Sequence, residues 1–396
     1  MNVNQRIGNR RQHTLQPAEQ SACCRRERRA RALGSKHTCI YPVLLLLASA
    51  GFSQTLDKPG LRYEHRKTDA PHSIHILEVD PSRWRIEAER ALNDGVGRET
   101  VSSMAERRAA EAAVNAGFFR IGGRYDGEPE GILRIAGRWF SDSAVARAAV
   151  GWRQGGLERL IGRLVVTWTL ESAGSRFPID GINRPRAPDE AILFNWAFHR
   201  STITDPGGIE VQIAGGRVVA VARTGDSAIP VEGFVYSVGP QCRTSIDKLK
   251  PGKGIRVVYR LSASPESSST EEKRWGGMDF IIGGIGLLLR DGRSLPLAPE
   301  EQMRPGFAEE RHPRTAVGFR RDGFWVFVVV DGRQPQLSVG MSLAELAALM
   351  LGLGCTDAIN LDGGGSSTLY HGKKIMNSPS DGRERTVSDA ILVLPR

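Results

Sequence analysis

Cysteine and histidine are scarce in this sequence, and both shortages limit the chemistry it can carry. Five of the 396 residues are cysteines, and Cys23, Cys24 and Cys39 fall within the first fifty. Cys242 and Cys355 remain. One disulfide between them is possible in an oxidising compartment, but two buried free thiols are favoured. Six histidines follow residue 50 without the tight spacing of zinc ligands, so a histidine-based metal centre is not predicted.

An apolar run long enough to cross a membrane is also missing. Residues 43–47 are apolar but too few to span a bilayer as a helix. They follow a strongly basic stretch and precede Ala48-Ser49-Ala50, which fits the small-residue pattern of a secretory cleavage site. We therefore expect residues 1–50 to be a signal peptide with a long basic leader. The mature protein is then secreted or periplasmic and has no membrane span; an internal apolar segment is the alternative.

Basic charge is in excess, but little of the excess belongs to the mature protein. Residues 1–50 hold nine Lys or Arg against two Asp or Glu, so +7 of the net +10 lies there and +3 remains. No nucleic-acid partner is therefore predicted. Residues 51–396 are long enough for one large domain or two intimately joined ones.

Short alternating runs indicate a chain made mostly of β-strands. The clearest alternation predicts strands at residues 74–79, 164–170, 210–213 and 218–222. The turn spacing across residues 150–262 indicates a β-rich subdomain of antiparallel sheet. Residues 100–112 resemble an alanine-rich helix, and Ser342 with Glu345 forms a capping box that begins a second helix. The predicted fold class is α+β, with β-rich mixed sheets and a few helices.

Two stretches of the chain share one order of elements. The first helix precedes Ala113-Val114-Asn115 and a glycine turn, and the second precedes Ala358-Ile359-Asn360 and Asp362-Gly363. We predict two similar helix, strand and glycine-turn units around one cleft. There the amide of Asn115, which can donate and accept, would hold a sugar hydroxyl or a phosphate oxygen. An asparagine that bonds its own turn is the alternative.

The turn after the second strand has an unusual composition: Asp362, Gly363, Gly364, Gly365 and Ser366. Consecutive glycines favour a backbone with positive φ or one that a ligand approaches closely. Successive amide N–H groups in such a turn form an anion site. Asp362 would then place a carboxylate beside a bound phosphate, although an ordinary Asp-Gly turn explains the sequence equally well.

A hairpin is predicted from an Asp-Gly pair between two apolar strands, at residues 316–319 and 324–330. A two-residue turn places Arg314 opposite Asp331. A four-residue loop places His312 opposite Asp331 and keeps Arg314 on the same face, because side chains alternate. With Arg333 nearby, we expect arginines and a carboxylate together at the open end. A structural ion pair is the alternative.

Several motifs occur in a fixed order: Asn115-Ala-Gly-Phe-Phe, Ile282-Gly-Gly-Ile-Gly-Leu-Leu-Leu, and, between His312 and Tyr370, His-Pro-Arg-Thr-Ala-Val-Gly, Val-Val-Asp-Gly-Arg, Gly-Met-Ser-Leu-Ala-Glu-Leu-Ala and Asn-Leu-Asp-Gly-Gly-Gly-Ser-Ser. In this order they resemble the phosphodiester glycosidase family. Ala116 stands where the family has glycine in Asn-Gly-Gly-Phe-Phe, and Ile285 and Gly286 depart from its Gly-Gly-Gly-Pro-Leu-Leu segment. Ordered motifs cover roughly residues 74–394, which makes the resemblance more specific than any single motif.

The residues and the resemblance together imply a secreted hydrolase with residues 51–396 as its phosphodiester glycosidase domain. It is expected to cleave a glycosyl phosphodiester at the sugar side, on envelope or exopolysaccharide glycans, releasing free sugar and a phosphomonoester. The expected catalytic residues are Asp362, Asp331 and His312. The expected substrate-binding residues are Asn115, Arg314, Thr315, Arg333, Gly363, Gly364, Gly365, Ser366 and Asn183, the last from a segment similar to an Asn-Arg segment of the family.

No cofactor is predicted, and a divalent cation near the carboxylates stays open. Two other functions remain as alternatives. A metal-dependent phosphodiesterase would use aspartate ligands, and a non-catalytic glycan- or envelope-binding protein would use the same groove without turnover.

Overall fold

The structure of the protein is a computed structural model that describes residues 57–93, 95–263 and 269–396. The signal peptide and leader predicted at residues 1–50 lie outside the described residues. The described part falls within one compact unit, Ala48–Arg396. None of its helices is long and apolar enough to cross a membrane.

The described residues form strands β1 to β24 and α-helices α1 to α3. The strands are β1 Leu61–Thr68, β2 His72–Val79, β3 Trp84–Arg90, β4 Ala112–Asn115, β5 Leu133–Ile135, β6 Arg138–Ser141, β7 Arg147–Trp152, β8 Arg159–Ser172, β9 Ser175–Ile179, β10 Gly181–Ile182, β11 Ala191–Asn195, β12 Ile209–Ala214, β13 Arg217–Ala222, β14 Phe234–Val238, β15 Arg256–Ala263, β16 Phe280–Gly283, β17 Leu287–Arg290, β18 Arg293–Ser294, β19 Arg314–Arg320, β20 Trp325–Val330, β21 Cys355–Asn360, β22 Leu369–His371, β23 Lys374–Ile375 and β24 Asp389–Pro395. The helices are α1 Val101–Arg107, α2 Ser269–Gly276 and α3 Leu343–Gly352.

Within the described residues, the strands assemble into four sheets. Sheet I has the order β1-β2-β20-β19-β21-β17-β18, and sheet II the order β23-β22-β4-β24-β3. Sheet III runs β15-β8-β7-β16-β5-β6 with β9 on β8, and sheet IV runs β10-β11-β14-β12-β13. Neighbouring strands are antiparallel except β10 and β11, which makes sheet IV mixed. This architecture confirms the predicted β-rich α+β class.

The largest core joins the inner faces of sheets I, II and III. It contains Leu77 and Phe327 of sheet I, Val114 and Ile391 of sheet II, and Val150 of sheet III. A second core lies between sheets III and IV. Because sheets I and II share a core, the ends of β4 and β21 are brought close together, and the candidate site is built there.

Helix α3 begins at the predicted capping box. The hydroxyl of Ser342 accepts a hydrogen bond from the backbone N–H of Glu345 at 3.2 Å, and the Glu345 carboxylate accepts one from the Ser342 N–H at 2.9 Å. Leu346 and Met350 pack on the outer face of sheet I. The chain turns at Gly354, where φ is +81°, and enters β21, so the predicted helix and following strand are both confirmed.

Helix α1 is shorter than the predicted span of residues 100–112. It ends at Arg107, because Ala109 adopts a φ of +51° and the N–H of Glu111 bonds the carbonyl of Val393 in sheet II. The demands of the sheet thus override the alanine-rich helix signal. Cys242 and Cys355 form no disulfide within the described residues, and Cys355 is buried as expected, whereas Cys242 is only half-buried.

The predicted register of the β19–β20 hairpin is wrong by one residue. Arg320 and Phe324 pair across a three-residue turn in which Gly323 has a φ of +97°, the arrangement of a type I turn followed by a left-handed residue. Arg314 therefore pairs with Val330 and not with Asp331. Because side chains alternate along a strand, the odd loop length places Arg314 and Asp331 on opposite faces of sheet I.

Candidate active site

Asp362 lies at the point where β21 ends and the triple-glycine turn begins. Its backbone N–H donates to the carbonyl of Ala116 at 3.0 Å, and its Oδ1 accepts from the N–H of Gly363 at 2.8 Å. Residues Gly364–Ser366 then form a single 3-10 turn. Backbone contacts on both sides therefore hold the carboxylate in place.

Asn115, at the end of β4, is hydrogen-bonded to the start of this turn. Its Nδ2 donates to the carbonyl oxygen of Asp362 at 2.8 Å, and its Oδ1 accepts from the hydroxyl of Thr315 at 2.7 Å and the N–H of Thr368 at 3.1 Å. Asn115 and Thr315 are buried, and neither lines the cavity above the turn. The structure thus places both residues as supports of Asp362.

A cavity of about 210 Å³ opens over the turn, and we call it the arginine pocket. It contains four guanidinium groups, one imidazole, one aromatic ring and one carboxylate. Its lining consists of Arg304, Phe307, His312, Arg314, Arg333, Asp362, Gly363, Gly364, Gly365 and Arg385. Seven of these residues are predicted from the sequence, and Arg304, Phe307 and Arg385 are not.

Arg314 is the buried member of the set. Its guanidinium donates to the carbonyl oxygens of Met341 at 2.9 Å, Phe307 at 2.8 Å and Glu310 at 2.9 Å. Burial lowers the pKa of Arg314 to about 10, and the positive charge of Arg333 acts in the same direction. The group still carries its charge at neutral pH, and its three partners are neutral carbonyls.

His312 lines the pocket, and Glu310 contacts it from outside the lining. Nε2 of His312 lies 2.9 Å from Oε2 of Glu310, which also accepts from Arg304 at 2.9 Å. These hydrogen bonds, that of Arg304 first, lower the pKa of Glu310 to about 2. Nδ1 of His312 lies 3.5 Å from Nη2 of Arg333, so the imidazole lies between the acid and a second arginine.

The glycines of the turn make room for guanidinium groups. A Cβ at Gly365 would overlap Nη2 of Arg385, and a Cβ at Gly364, whose φ is +62°, would lie 3.1 Å from Nη2 of Arg333. The amides of Gly363, Gly364, Ser366 and Ser367 instead donate to acceptors within the protein. The positive charge at this turn therefore comes mainly from arginine side chains.

The pKa of Asp362 lies well above the usual value for an aspartate. Burial raises its pKa to about 6, and the negative charge of Asp389 acts in the same direction, while Ser366 and Arg385 oppose the rise. Asp389, which the sequence analysis missed, accepts from the N–H of Gly117 at 2.7 Å and from the hydroxyl of Ser388 at 2.6 Å. Burial raises the pKa of Asp389 as well.

Asp331 lies apart from this pocket, on the other face of sheet I. Its Oδ2 is 3.1 Å from Nε2 of His75, and its Oδ1 accepts from the N–H of Ser378 at 2.8 Å and the amide of Asn377 at 3.2 Å. Burial alone would raise the pKa of Asp331, but these hydrogen bonds, led by that of His75, hold it below its usual range. The structure therefore does not bring Asp331 to the Asp362 carboxylate.

Asn183 is also remote from the arginine pocket. It is buried, with a φ of +52°. Its amide donates to the carbonyl of Phe140 at 2.9 Å and accepts from the N–H of Asn195 at 2.9 Å, which ties sheets III and IV together. Its substrate-binding role stays a prediction.

A second polar cavity, the mixed-charge pocket, shares no lining residue with the arginine pocket. Its volume is about 300 Å³, and its charged lining residues are Arg120, Glu128, Glu130, Asp142, Arg147 and Arg184. Burial raises the pKa of both Glu128 and Asp142 to about 7. Neither carboxylate was predicted as a site residue, because the sequence pattern does not show how deeply a side chain is buried in the folded chain.

Among the described residues, no group of three or more His, Cys, Asp or Glu side chains is arranged to hold a metal ion.

Residues 207–394 match the family model described as phosphodiester glycosidase. The resemblance to the phosphodiester glycosidases is confirmed. All the residues that line the arginine pocket lie within the matched range. The part of the chain that carries the family likeness is therefore the part that builds this pocket.

Three proteins illustrate what the chain is similar to. An uncharacterised SPbeta prophage-derived protein of Bacillus subtilis (strain 168) is 43% identical over 83 residues, 21% of this chain and 13% of that protein. The N-acetylglucosamine-1-phosphodiester alpha-N-acetylglucosaminidase of Bos taurus is 36% identical over 110 residues, 26% of this chain and 20% of the enzyme. A Burkholderia pseudomallei K96243 protein described as exported superposes with a TM-score of 0.69 at 27% identity, over 83% of this chain and 75% of that one. The chain thus spans a fifth or less of the first two relatives.

Proposed function

We propose that the chain hydrolyses sugar phosphodiesters, with the phosphate held in the arginine pocket and Asp362 acting at the anomeric carbon. One observation carries the proposal: four guanidinium groups share a cavity with a single carboxylate whose pKa is raised to about 6. The likeness to a Bos taurus enzyme named for N-acetylglucosamine-1-phosphodiesters supports the reaction class.

The charge balance of the pocket favours an anionic ligand. Arg304 pairs with Glu310, and Arg385 pairs with Asp381. Arg314 and Arg333, among the described residues, pair with no carboxylate, since Arg314 bonds only carbonyls and Arg333 approaches only His312. Arg333 can offer its guanidinium fork to a phosphate, whose oxygens accept parallel N–H bonds. Arg314 can add Nη1, which makes none of its three carbonyl bonds.

The leaving group explains why one carboxylate suffices. Cleavage of the sugar–oxygen bond sends its electron pair to a phosphomonoester, which needs little proton donation. The principal demand is to stabilise charge that grows on phosphate oxygens, which fixed guanidinium groups meet. Asp362 either attacks the anomeric carbon or removes a proton from water that attacks it, and the water hydroxyl ends on the sugar. His312 at the wall can carry a proton to bulk water.

We also propose that residues 51–396 act as one phosphodiester glycosidase domain with a β-rich subdomain at 150–262. In this domain the two helix, strand and glycine-turn units face each other around one cleft. The bond between Asn115 and Asp362 supports that arrangement. Secretion or periplasmic export, with an envelope or exopolysaccharide glycan as substrate, is supported by the leader sequence and the similarity to a protein described as exported.

A direct assay tests the reaction. The purified protein is incubated with an N-acetylglucosamine-1-phosphodiester of a simple alcohol, and free sugar is measured. We expect turnover that falls by about a thousandfold in Asp362→Asn and stays unchanged in Asp291→Asn, an exposed aspartate outside the pocket.

Two outcomes of this assay would favour the alternatives. Saturable binding without release of sugar, the same in wild type and Asp362→Asn, would indicate a glycan-binding protein. Turnover that disappears on exhaustive chelation and returns with a divalent cation would indicate a metal-dependent phosphodiesterase.

A further inference from the structure

A cavity of about 290 Å³ lies between sheets III and IV, outside the arginine pocket. We call it the tryptophan pocket, because Trp139 of β6, Trp168 of β8 and Trp196 after β11 all line it. Phe234 adds a fourth ring, and Glu232 adds a carboxylate. Its volume is at the lower end of the range for small-molecule sites, about 300–1,000 Å³.

The inner wall of the tryptophan pocket is rigid. Trp139 and Trp168 pack edge to face, with ring centroids 5.4 Å apart and planes at 86°. Tyr259 packs on both, at 5.3 Å from Trp139 and 5.2 Å from Trp168. Rings held by one another in this way lose little conformational entropy when a ligand binds.

Two indole N–H groups of this wall, those of Trp139 and Trp168, make no hydrogen bond with the described residues. Trp139 is 9% exposed, and its N–H can only donate. A buried donor of this kind is costly unless an acceptor reaches it. The ligand that completes this wall must therefore bring an oxygen or nitrogen acceptor as well as apolar surface.

The rim of the pocket presents a flat ring to solvent. Trp196 is 41% exposed, although large hydrophobic side chains are mostly buried in this protein. The guanidinium of Arg138 lies over this ring, 4.9 Å from its centre. Such a ring can stack on an apolar ligand face, while the exposed Glu232 beside it accepts hydrogen bonds.

These features select one chemical class of ligand. A purely apolar molecule would leave the Trp139 N–H unpaired. Arg138 and Glu232 both line the pocket and carry opposite charges, so the lining favours a neutral ligand over a cation or an anion. A neutral saccharide supplies an apolar C–H face for Trp196, hydroxyl oxygens for Trp139 and hydroxyl donors for Glu232. We infer that the tryptophan pocket is a carbohydrate-binding site for neutral sugar residues, separate from the site of hydrolysis.

Binding measurements on the full chain test this inference. The probes are neutral oligosaccharides of N-acetylglucosamine and of glucose, titrated while calorimetry and tryptophan fluorescence are followed. Wild type is expected to bind at least one series saturably, and Trp196→Ala to weaken that binding by about tenfold. Trp139→Phe keeps an aromatic ring but removes the donor, and it is expected to weaken binding several-fold.

Two control variants make the result specific. Leu157→Ala removes another exposed hydrophobic side chain and is expected to bind like wild type. Asp362→Asn is expected to keep oligosaccharide affinity, so this inference stands or falls independently of the hydrolytic proposal. Failure of wild type to bind any of the probes, or equal affinity in wild type, Trp196→Ala and Trp139→Phe, would overturn it.

Discussion

The side-chain amide of Asn115 donates a hydrogen bond to the backbone carbonyl oxygen of Asp362 at 2.8 Å. The two residues are far apart in the chain but join sheet II to the end of β21. The oxygen of the same amide accepts hydrogen bonds from the hydroxyl of Thr315 and the backbone N–H of Thr368. In the proposed reaction, Asn115 would therefore act through the position of Asp362.

Replacement of Asn115 is expected to affect both stability and turnover. Asn115→Ala leaves buried donors and an acceptor unpaired, which should lower the free energy of unfolding by about 3 kcal/mol. In the folded fraction, kcat should fall more than KM rises, because the carboxylate is displaced while the arginines remain. Thr315→Val, which removes one bond of the set, should cost about 1 kcal/mol. Urea unfolding and steady-state kinetics measure both; an unchanged kcat in Asn115→Ala would remove its positioning role.

The buried contacts of Asp331 lead to a prediction about stability. Its pKa is held low in the folded state, so the ionised form stabilises the fold above the unfolded pKa, about 4. Asp331→Asn is expected to lower the free energy of unfolding by about 2 kcal/mol at pH 7. The difference from wild type should shrink as the pH falls through the folded pKa, since the wild-type carboxylate then becomes protonated.

The same variant separates structural from catalytic roles. Turnover per folded molecule should stay close to wild type in Asp331→Asn, because the side chain does not line the arginine pocket. Loss of turnover with normal stability would instead support the catalytic role predicted for Asp331 from the sequence.

The raised pKa of Asp362 sets the expected pH profile. If the reaction needs the ionised carboxylate, kcat/KM should fall on the acid side with a midpoint near pH 6. The charge of Arg385 lowers the pKa of Asp362, so Arg385→Gln should move this midpoint to higher pH. Arg62→Gln, an exposed position in β1, serves as the control and should leave it unchanged. If the midpoint is the same in Arg385→Gln and in wild type, the acid side of the kcat/KM profile reports the ionisation of another group.

Arg333 is expected to contribute to phosphate binding without supporting the fold. It is exposed and, among the described residues, has no carboxylate partner. Arg333→Gln should weaken competitive inhibition by inorganic phosphate by about tenfold, because a charge-assisted hydrogen bond is lost. The temperature of thermal unfolding should be unchanged in Arg333→Gln. Inorganic phosphate should inhibit the control variant Arg62→Gln as strongly as it inhibits wild type. Equal inhibition constants in all three proteins would place the phosphate elsewhere.

Local signals predicted the elements that carry Asp362. The capping box of Ser342 and Glu345, the glycine stop and the apolar run into β21 are all encoded within a few residues. The hairpin of β19 and β20 was predicted for the same reason. Its register was not, because Asp-Gly fits both a two-residue turn and the end of a three-residue turn, and one residue decides which face Arg314 occupies.

The rest of the site depends on packing between distant segments. Arg304 and Arg385 lie in loops without periodicity, and only the folded chain brings them to Gly364 and Gly365. The raised pKa of Asp362 is likewise a product of burial and of Asp389, which sequence patterns do not report. The ordered motifs nevertheless contain seven of the residues that line the arginine pocket.

The fate of the oxygen supplied by water distinguishes attack at the anomeric carbon from attack at phosphorus. The protein is incubated with a sugar-1-phosphodiester in ¹⁸O-labelled water, and both products are analysed by mass spectrometry. Attack at the anomeric carbon predicts the label in the free sugar and none in the phosphomonoester. Label in the phosphomonoester would mean attack at phosphorus and would contradict the account.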